Sequence, residues 1–251
     1  MAINFAALRS FGRAQDLELE FAAVDRPTLV TALLACCDET SDAEFWWAQT
    51  VGARITALLR VLALTEAGHS QLSIGLRCIE PKCGEPFEVT LPFDALPTAA
   101  PGEDEDTAGP VTVSLSGSRS AALRRPTGYD LRAWHRTPYA SRREAVAAMV
   151  DTLVVEGEVA PDDEPAVADM MATHDPLVAF AVSCACPACG ADRDRPVDLE
   201  AVVLARLGAR RRALLREVHL LASSYGWTES EVLAVGPARR AQYLALIEDW
   251  P

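Results

Sequence analysis

The sequence predicts an α+β protein in which a zinc-ribbon-like core of two β-hairpins is flanked by helical N- and C-terminal segments. Apolar residues recur with helical spacing near both ends of the chain, the period changes to two around the first of two cysteine pairs, and a nearly continuous apolar run precedes the second pair. An inserted β-plus-helix segment separates the pairs. The predicted segments are an N-terminal helical segment (1–70), a first cysteine hairpin (71–95), an insertion with acidic linkers (96–176), and a second cysteine knuckle with C-terminal helices (177–251).

Two helices are predicted in the N-terminal segment. The first covers Pro27–Cys37, with proline at an early helical position and apolar residues at helical spacing. The second is predicted to begin at Ser41, because Glu44 three residues later completes a capping box, and to continue to about Leu64.

The first hairpin is predicted from strict alternation. Apolar residues alternate with polar or small ones from Leu72 to Cys78, and again from Phe87 to Leu91. The turn between these strands carries two cysteines. From Leu96 to Pro110 the composition shifts to proline, alanine, glycine and the acidic run Glu103–Asp106, which is typical of a solvated linker, so we expect an insertion boundary there.

The insertion is predicted to combine short strands with helices. Alternation over 111–115 predicts a strand, and the turn at 116–118 leads to a second strand ending near Arg125. One short helix is predicted after that strand, and another after the capping box of Ser141 and Glu144. The acidic stretch that follows is expected to be a loop with a short helix over 165–172.

The C-terminal part is predicted to be mostly helical after one strand. The apolar run Leu177–Cys184 predicts a buried strand that leads to the second cysteine pair. A long helix is predicted from Leu199 through Leu221, and two short helices are predicted after it. Five arginines crowd the middle of the long helix. They form either a solvated face or a patch for an acidic surface, on a partner or on this chain: Arg206, Arg210, Arg211, Arg212 and Arg216.

The composition narrows the classes of function. Asp and Glu number 36 against 23 Lys and Arg, and the resulting net charge of −13 argues against a nucleic-acid phosphate backbone as the main partner. The sequence contains no apolar run of the roughly 18–20 residues that a membrane span needs, and residues 1–16 lack the basic start and apolar run of a signal peptide. The expected location is the bacterial cytoplasm.

Two cysteine pairs predict a metal site. The first pair is Cys78 and Cys83, and Gly84 follows its second cysteine. The second pair is Cys186 and Cys189, and a glycine follows it in the same way. Glycine permits the positive φ of a tight turn, whose backbone N–H groups point toward the thiolates. Two such knuckles facing each other supply the four sulfurs of a structural Zn²⁺ and leave no open position for catalysis.

The remaining cysteines leave alternatives open. Cys184 offers a third thiol for the second pair, although its place in the strand pattern favours Cys186 and Cys189 as ligands. Cys36 and Cys37 fall within the first helix and are expected to be packing thiols. A disulfide or free thiols remain alternatives to the predicted zinc.

Enzymatic sites have weaker support. The Cys186–Cys189 segment, Cys-Pro-Ala-Cys, looks like a glutaredoxin dithiol motif, but a polar stretch rather than a helix follows it. A zinc deaminase is excluded because no histidine has glutamate two residues on. Metalloprotease, serine-hydrolase and phosphate-loop motifs are also missing from the sequence. We therefore expect a protein that is not an enzyme.

Several segments of the sequence carry a resemblance to a known family: Leu123-Arg-Arg-Pro-Thr-Gly-Tyr-Asp-Leu131, Asp175-Pro176 ahead of the second cysteine pair, Leu215-Arg-Glu-Val-His-Leu-Leu-Ala-Ser-Ser-Tyr-Gly-Trp-Thr-Glu-Ser-Glu-Val-Leu-Ala234, Arg239-Arg240 and Tyr243-Leu244. Together they resemble the baseplate hub assembly chaperone family of contractile-tailed phages and phage-tail-like contractile injection systems. The resemblance is densest from about Leu177 to Ile247. The chain departs from the family pattern at Val235-Gly236-Pro237 and in the wider spacing of its first cysteine pair.

The resemblance implies a non-enzymatic assembly chaperone or structural component of a baseplate. Its partners would be hub or spike proteins of a contractile tail machine, and the protein would act in the cytoplasm or within the assembled particle. Exposed tyrosine and tryptophan anchor partner surfaces, and arginine provides a docking edge for acidic or aromatic groups. The residues expected to contact the partner are Tyr225, Trp227, Arg239, Arg240 and Tyr243. The alternative for Tyr225 and Trp227 is packing inside the helical corner.

Two other functions remain open at this point. A zinc-ribbon nucleic-acid-binding regulator would need a basic face, which only the arginines of the predicted long helix supply. A thiol oxidoreductase would need a reactive thiol at Cys186.

Overall fold

A computed structural model describes residues 3–22, 25–66, 71–96 and 109–248, which excludes the predicted acidic linker at Glu103–Asp106. These residues form an α+β structure that mixes long helices with small sheets. The elements, in chain order, are α1 (Arg26–Cys37), α2 (Ala43–Ala48), α3 (Val51–Thr65), β1 (Gln71–Arg77), β2 (Pro86–Pro92), β3 (Val111–Ser114), β4 (Ser120–Leu123), α4 (Gly128–Arg136), α5 (Arg142–Leu153), β5 (Val154–Glu156), α6 (Glu164–His174), β6 (Ala181–Ala185), β7 (Asp192–Pro196), α7 (Leu199–Tyr225), α8 (Glu229–Ala234) and α9 (Pro237–Glu248).

The larger hydrophobic core joins the two ends of the chain. Leu33 of α1, Leu58 of α3 and Leu207 of α7 are fully buried in it. Leu72 and Ile74 of β1 are buried in the same core. Burial of each such side chain contributes about 1.5–3 kcal/mol. The N-terminal helices and α7 therefore fold as one unit, and the first hairpin packs against them.

Both cysteine hairpins form as predicted, but the second begins later. β1 and β2 pair antiparallel, as do β6 and β7. The predicted strand over Leu177–Cys184 is wrong in its first half. The backbone N–H groups of Val178 and Ala179 donate to the carbonyl of Asp175, at 2.9 and 3.4 Å, so the chain turns there and pairs only from Ala181.

The insertion has its own hydrophobic cluster. Val113, Leu123, Leu153 and Val167 are buried together in it. β4 lies between β3 and β5 in a three-stranded antiparallel sheet. The expectation of a loop across the acidic stretch missed β5, because the strand depends on pairing with β4.

The predicted helix from Ser41 to Leu64 is wrong, because the chain is interrupted between α2 and α3. Asp42 rather than Ser41 caps α2, since its side chain accepts from the backbone N–H of Phe45 at 2.9 Å. Gln49 and Thr50 are extended, and Gln49 accepts a hydrogen bond at 3.1 Å from the N–H of Gly128. The interruption leaves backbone groups without helical partners, and residues 126–128 form hydrogen bonds with these groups instead.

Arg54 lies at the centre of this contact, which we call the Arg54 junction (residues 46–54 with 125–130 and Asp175). Its side chain is fully buried, and it donates to the carbonyls of Trp46 at 2.9 Å and Pro27 at 3.0 Å. Burial lowers the pKa of Arg54 to about 10. Gly128 packs so closely that an added Cβ would lie 2.1 Å from Nη1 of Arg54. Only glycine fits there without displacing the guanidinium.

The same junction reaches Asp175. This buried carboxylate lies 3.6 Å from Nη1 of Arg125, and burial raises its pKa. It also packs against Gly52, where an added Cβ would lie 2.3 Å from its Oδ1. Residues of the Arg-Pro-Thr-Gly-Tyr-Asp phrase and of Asp175-Pro176 therefore make internal contacts that hold the insertion on the main core.

Candidate metal centre

The first pair of cysteines lies on the turn between β1 and β2. Cys78 follows β1, and its N–H donates to the carbonyl of Glu85 at 2.9 Å. The N–H groups of Cys83 and Gly84 both donate to the carbonyl of Glu80, at 2.9 and 3.3 Å. Gly84 has a φ of 62°, as predicted, and this left-handed residue returns the chain into β2.

The second pair lies on an equivalent turn between β6 and β7. The N–H of Cys186 donates to the carbonyl of Ala191 at 3.0 Å, and the N–H of Gly190 donates to that of Cys186 at 2.8 Å. Gly190 has a φ of 72°. The two turns thus present their cysteines through similar backbone geometry.

The structure brings these two turns together. The Sγ atoms of Cys78, Cys83, Cys186 and Cys189 all lie within 4.8 Å of one another. The Cys78–Cys189 sulfurs are 3.7 Å apart and the Cys83–Cys186 sulfurs are 3.9 Å apart, distances too long for disulfides. Four thiolates held tetrahedrally at about 2.3 Å from a cation would be about 3.8 Å from one another. The arrangement is compatible with a metal site.

Backbone N–H groups act on the sulfurs of both turns. Those of Cys189 and Ala188 lower the pKa of Cys186 to about 7. The backbone N–H of Glu85 lowers the pKa of Cys83, but desolvation and the neighbouring thiols outweigh it and raise that pKa to about 12. Four crowded thiols thus resist losing all their protons unless a cation balances the charge.

The donor set is closed. Cys78 and Cys186 are buried, Cys83 is half-buried and Cys189 is exposed. Four thiolates complete the coordination of a tetrahedral cation, so no position remains for water or substrate. A salt bridge of 3.4 Å between Arg193 and Glu80 also joins the two turns at the surface. We did not single out this pair from the sequence, since only the folded hairpins bring its residues together.

The remaining cysteines lie elsewhere. Cys184 is in β6 opposite Arg193, and its half-buried side chain packs against the larger core, so it is not part of the four-sulfur cluster. Cys37 is fully buried in α1, and burial raises its pKa to about 12. Cys36 is half-buried rather than fully packed.

Three of the residues predicted to contact a partner form an aromatic cluster, which consists of Tyr225, Trp227 and Tyr243. The rings of Tyr225 and Trp227 stack at 5.0 Å between centroids, and Tyr243 meets Trp227 edge-on at 5.1 Å. Gly226, with a φ of 70°, ends α7 and allows this return of the chain. Tyr225 is 40% exposed, so the cluster is accessible from solvent.

The two predicted arginines of α9 differ. Arg239 is exposed and lies 5.7 Å from the centroid of the Tyr243 ring. Arg240 is only 4% exposed and donates to Glu217 of α7 at 2.8 Å. Arg240 thus holds α9 against α7, whereas Arg239 extends the accessible cluster. Leu246 is 59% exposed but was not among the residues predicted to contact a partner. It lies three residues after Tyr243 on the same helix, a spacing that places the two side chains on one face.

The arginines of α7 also divide into two groups. Three of them bind within the chain: Arg206 to Glu66 at 2.7 Å, Arg210 to Glu217 at 2.9 Å and Arg211 to the carbonyl of Leu17 at 2.8 Å. Arg212 and Arg216 are exposed.

Comparison of the chain with known protein families, characterised proteins and solved structures finds no match. Among the described residues, no helix combines the length and hydropathy needed to cross a membrane.

Proposed function

We propose that this protein is a non-enzymatic assembly chaperone or structural component of the baseplate of a phage-tail-like contractile injection system, with one structural Zn²⁺. The observation that carries the proposal is the closed cluster of four cysteine sulfurs. It fits a role in fixing the protein's shape, because a filled tetrahedral shell has no position for a reacting group.

Zinc is the cation that suits these ligands best. It accepts four thiolates in a tetrahedron, and the sulfur separations match the spacing that a Zn–S bond of about 2.3 Å requires. Two knuckles, each at the end of a hairpin, support the zinc-ribbon-like description of this part of the chain.

The baseplate assignment rests on the sequence resemblance. Its densest part includes the accessible aromatic cluster and Arg239, a surface suited to contact with a hub or spike protein. The proposed place of action is the bacterial cytoplasm or the assembled particle.

The test is affinity purification of the tagged chain from cells that produce the contractile machine. We expect tail proteins to co-purify, and elution with mature particles or only with assembly intermediates separates the structural role from the chaperone role. A Trp227→Ala/Tyr243→Ala variant should lose the tail proteins. A Tyr139→Ala variant, in the loop between α4 and α5, is the control and should retain them. Absence of tail proteins from every fraction contradicts the baseplate assignment.

Metal analysis of the same purified chain tests the zinc. One equivalent of zinc is expected per chain, and it should be retained by Cys184→Ser and lost by Cys189→Ser. Zinc-free protein with ordered hairpins contradicts the metal site. The nucleic-acid-binding alternative is weakened by the internal contacts of Arg206, Arg210 and Arg211, and salt-sensitive binding to duplex DNA is the result that would favour it.

A further inference from the structure

One long side of α7 is exposed. Helical spacing places Arg212, Leu215, Arg216 and His219 along one side, with Leu220 at its edge. We call these five residues the α7 outer face. All five are exposed, and Leu215 and Leu220 keep 37% and 43% of their surface accessible. The two leucines therefore expose apolar surface beside the cationic side chains.

The cationic side chains of this face have no acidic partner among the residues that the structure describes. Within the described part of the chain, the side chains of Arg212, Arg216 and His219 make no hydrogen bond or ion pair. The only acidic residue from 208 to 223 is Glu217, which points away and binds Arg210 and Arg240. A chain with a net charge of −13 thus keeps a local basic strip with no acidic residue in it.

A pocket lies at the N-terminal end of the same strip. It has a volume of about 310 Å³ and opens to solvent. Arg26, at its mouth, is already paired with Asp198 at 2.6 Å, so Arg212 is the cation left for a ligand. The pocket is lined by Phe21, Leu29, Leu204, Ala205 and Gly208, with Arg26 and Arg212 beside them.

We propose that the α7 outer face and this pocket bind an acidic segment of a partner protein, with one apolar side chain of that segment in the pocket. Carboxylates of the segment would pair with Arg212 and Arg216, and its other apolar residues would cover Leu215 and Leu220. Charge complementarity selects this occupant, since a pocket with several apolar lining residues and Arg212 at its edge, continued by Arg216 along the helix, suits a ligand with both an apolar and an anionic group. The inference does not depend on the baseplate assignment.

The test is selection from a random peptide display library on the full-length, metal-loaded chain. Enriched peptides should carry net negative charge and an apolar residue. An enriched peptide should bind at least tenfold more weakly to Arg212→Glu/Arg216→Glu and to Ala205→Phe, which fills the pocket from its exposed side. The control, Arg142→Glu/Arg143→Glu, makes the same charge change on exposed residues of α5 and should bind as the unchanged chain does.

Folding is controlled by circular dichroism and zinc content, and Arg212→Gln/Arg216→Gln provides a milder pair that removes charge without reversing it. The proposal is overturned by peptides with no acidic excess, or by binding that the α7 and pocket variants leave unchanged. It is equally overturned if a duplex DNA probe, rather than the peptides, loses affinity for the α7 variants, because the face would then belong to nucleic acid.

Discussion

The cysteine cluster and the Arg54 junction both join distant parts of the chain, but they do so by different physics. The cluster brings four sulfurs together from two hairpin turns, and four thiolates there would need a cation to balance their charge. The junction uses a buried guanidinium on two carbonyls and close packing at Gly128. The contact at the cysteine cluster should be lost when a bound cation is removed, whereas the Arg54 junction depends on packing alone. Disruption of one should therefore leave the other intact.

The largest expected effect is loss of the cation. We expect Cys186→Ser to lose zinc and at least about 5 kcal/mol of stability, less than the roughly 10–16 kcal/mol of zinc-finger peptides because a hydrophobic core remains. Thermal unfolding with and without a chelator measures the change, and Cys184→Ser is the control. Equal stability of the chelated and metal-loaded chains would contradict a structural metal.

Gly128→Val should break the other join. Its side chain would displace the guanidinium of Arg54, at a cost of roughly 3 kcal/mol from overpacking, while zinc stoichiometry stays unchanged. Denaturant unfolding measures the cost. Gly75→Val is the matched control, because an added Cβ at Gly75 meets nothing within 4 Å. Equal stability of the two variants would show that the close approach at Gly128 carries no energy.

Asp130→Asn should weaken the junction in a pH-dependent way. Burial raises the pKa of Asp130, but hydrogen bonds from Arg124 and Thr127 outweigh it, so the folded pKa lies below its usual value of 3.8. The stability that ionised Asp130 contributes is fully present above the pKa of the unfolded chain, and it is lost as the pH falls through the pKa of the folded chain. We expect the variant to lose about 1–2 kcal/mol at pH 7.

The difference between Asp130→Asn and the unchanged chain should shrink below about pH 4. Urea unfolding at pH 7 and pH 3 tests this. The control is Asp169→Asn, on the exposed side of α6, which should unfold like the unchanged chain at both pH values. A penalty that is the same at both pH values would mean that the loss is steric rather than electrostatic.

The smallest expected effect has the opposite sign. Arg195 of β7 is 3% exposed, and its three side-chain nitrogens find no hydrogen-bond partner anywhere in the described ranges. Arg195→Met removes this buried polar group and should raise stability by about 1 kcal/mol. Arg193→Met, on the same strand but in an exposed ion pair, should change stability very little. A large loss in Arg195→Met would indicate that the guanidinium has a favourable role.

Local pattern was sufficient to predict the candidate metal site but not the Arg54 junction. The first turn follows from alternation that ends in cysteine and glycine, and the second from an apolar run that leads to two cysteines and a glycine. The choice of Cys186 and Cys189 over Cys184 follows from the place of Cys184 in the strand pattern. The interruption at Gln49 and Thr50 has no such signal, because its backbone groups are paired by a segment far away in sequence. Propensity alone favoured one continuous helix there.

The separation of the sulfur pairs also sets an order of events during synthesis. Cys83 and Cys186 are 103 residues apart, so at about 5–20 residues per second the first pair waits roughly 5–20 s on the ribosome for the second. Until then, the nascent chain can offer only half of a coordination shell. Stable capture of the proposed zinc would therefore require that translation has passed the second knuckle, and a truncated product that ends earlier should bind none.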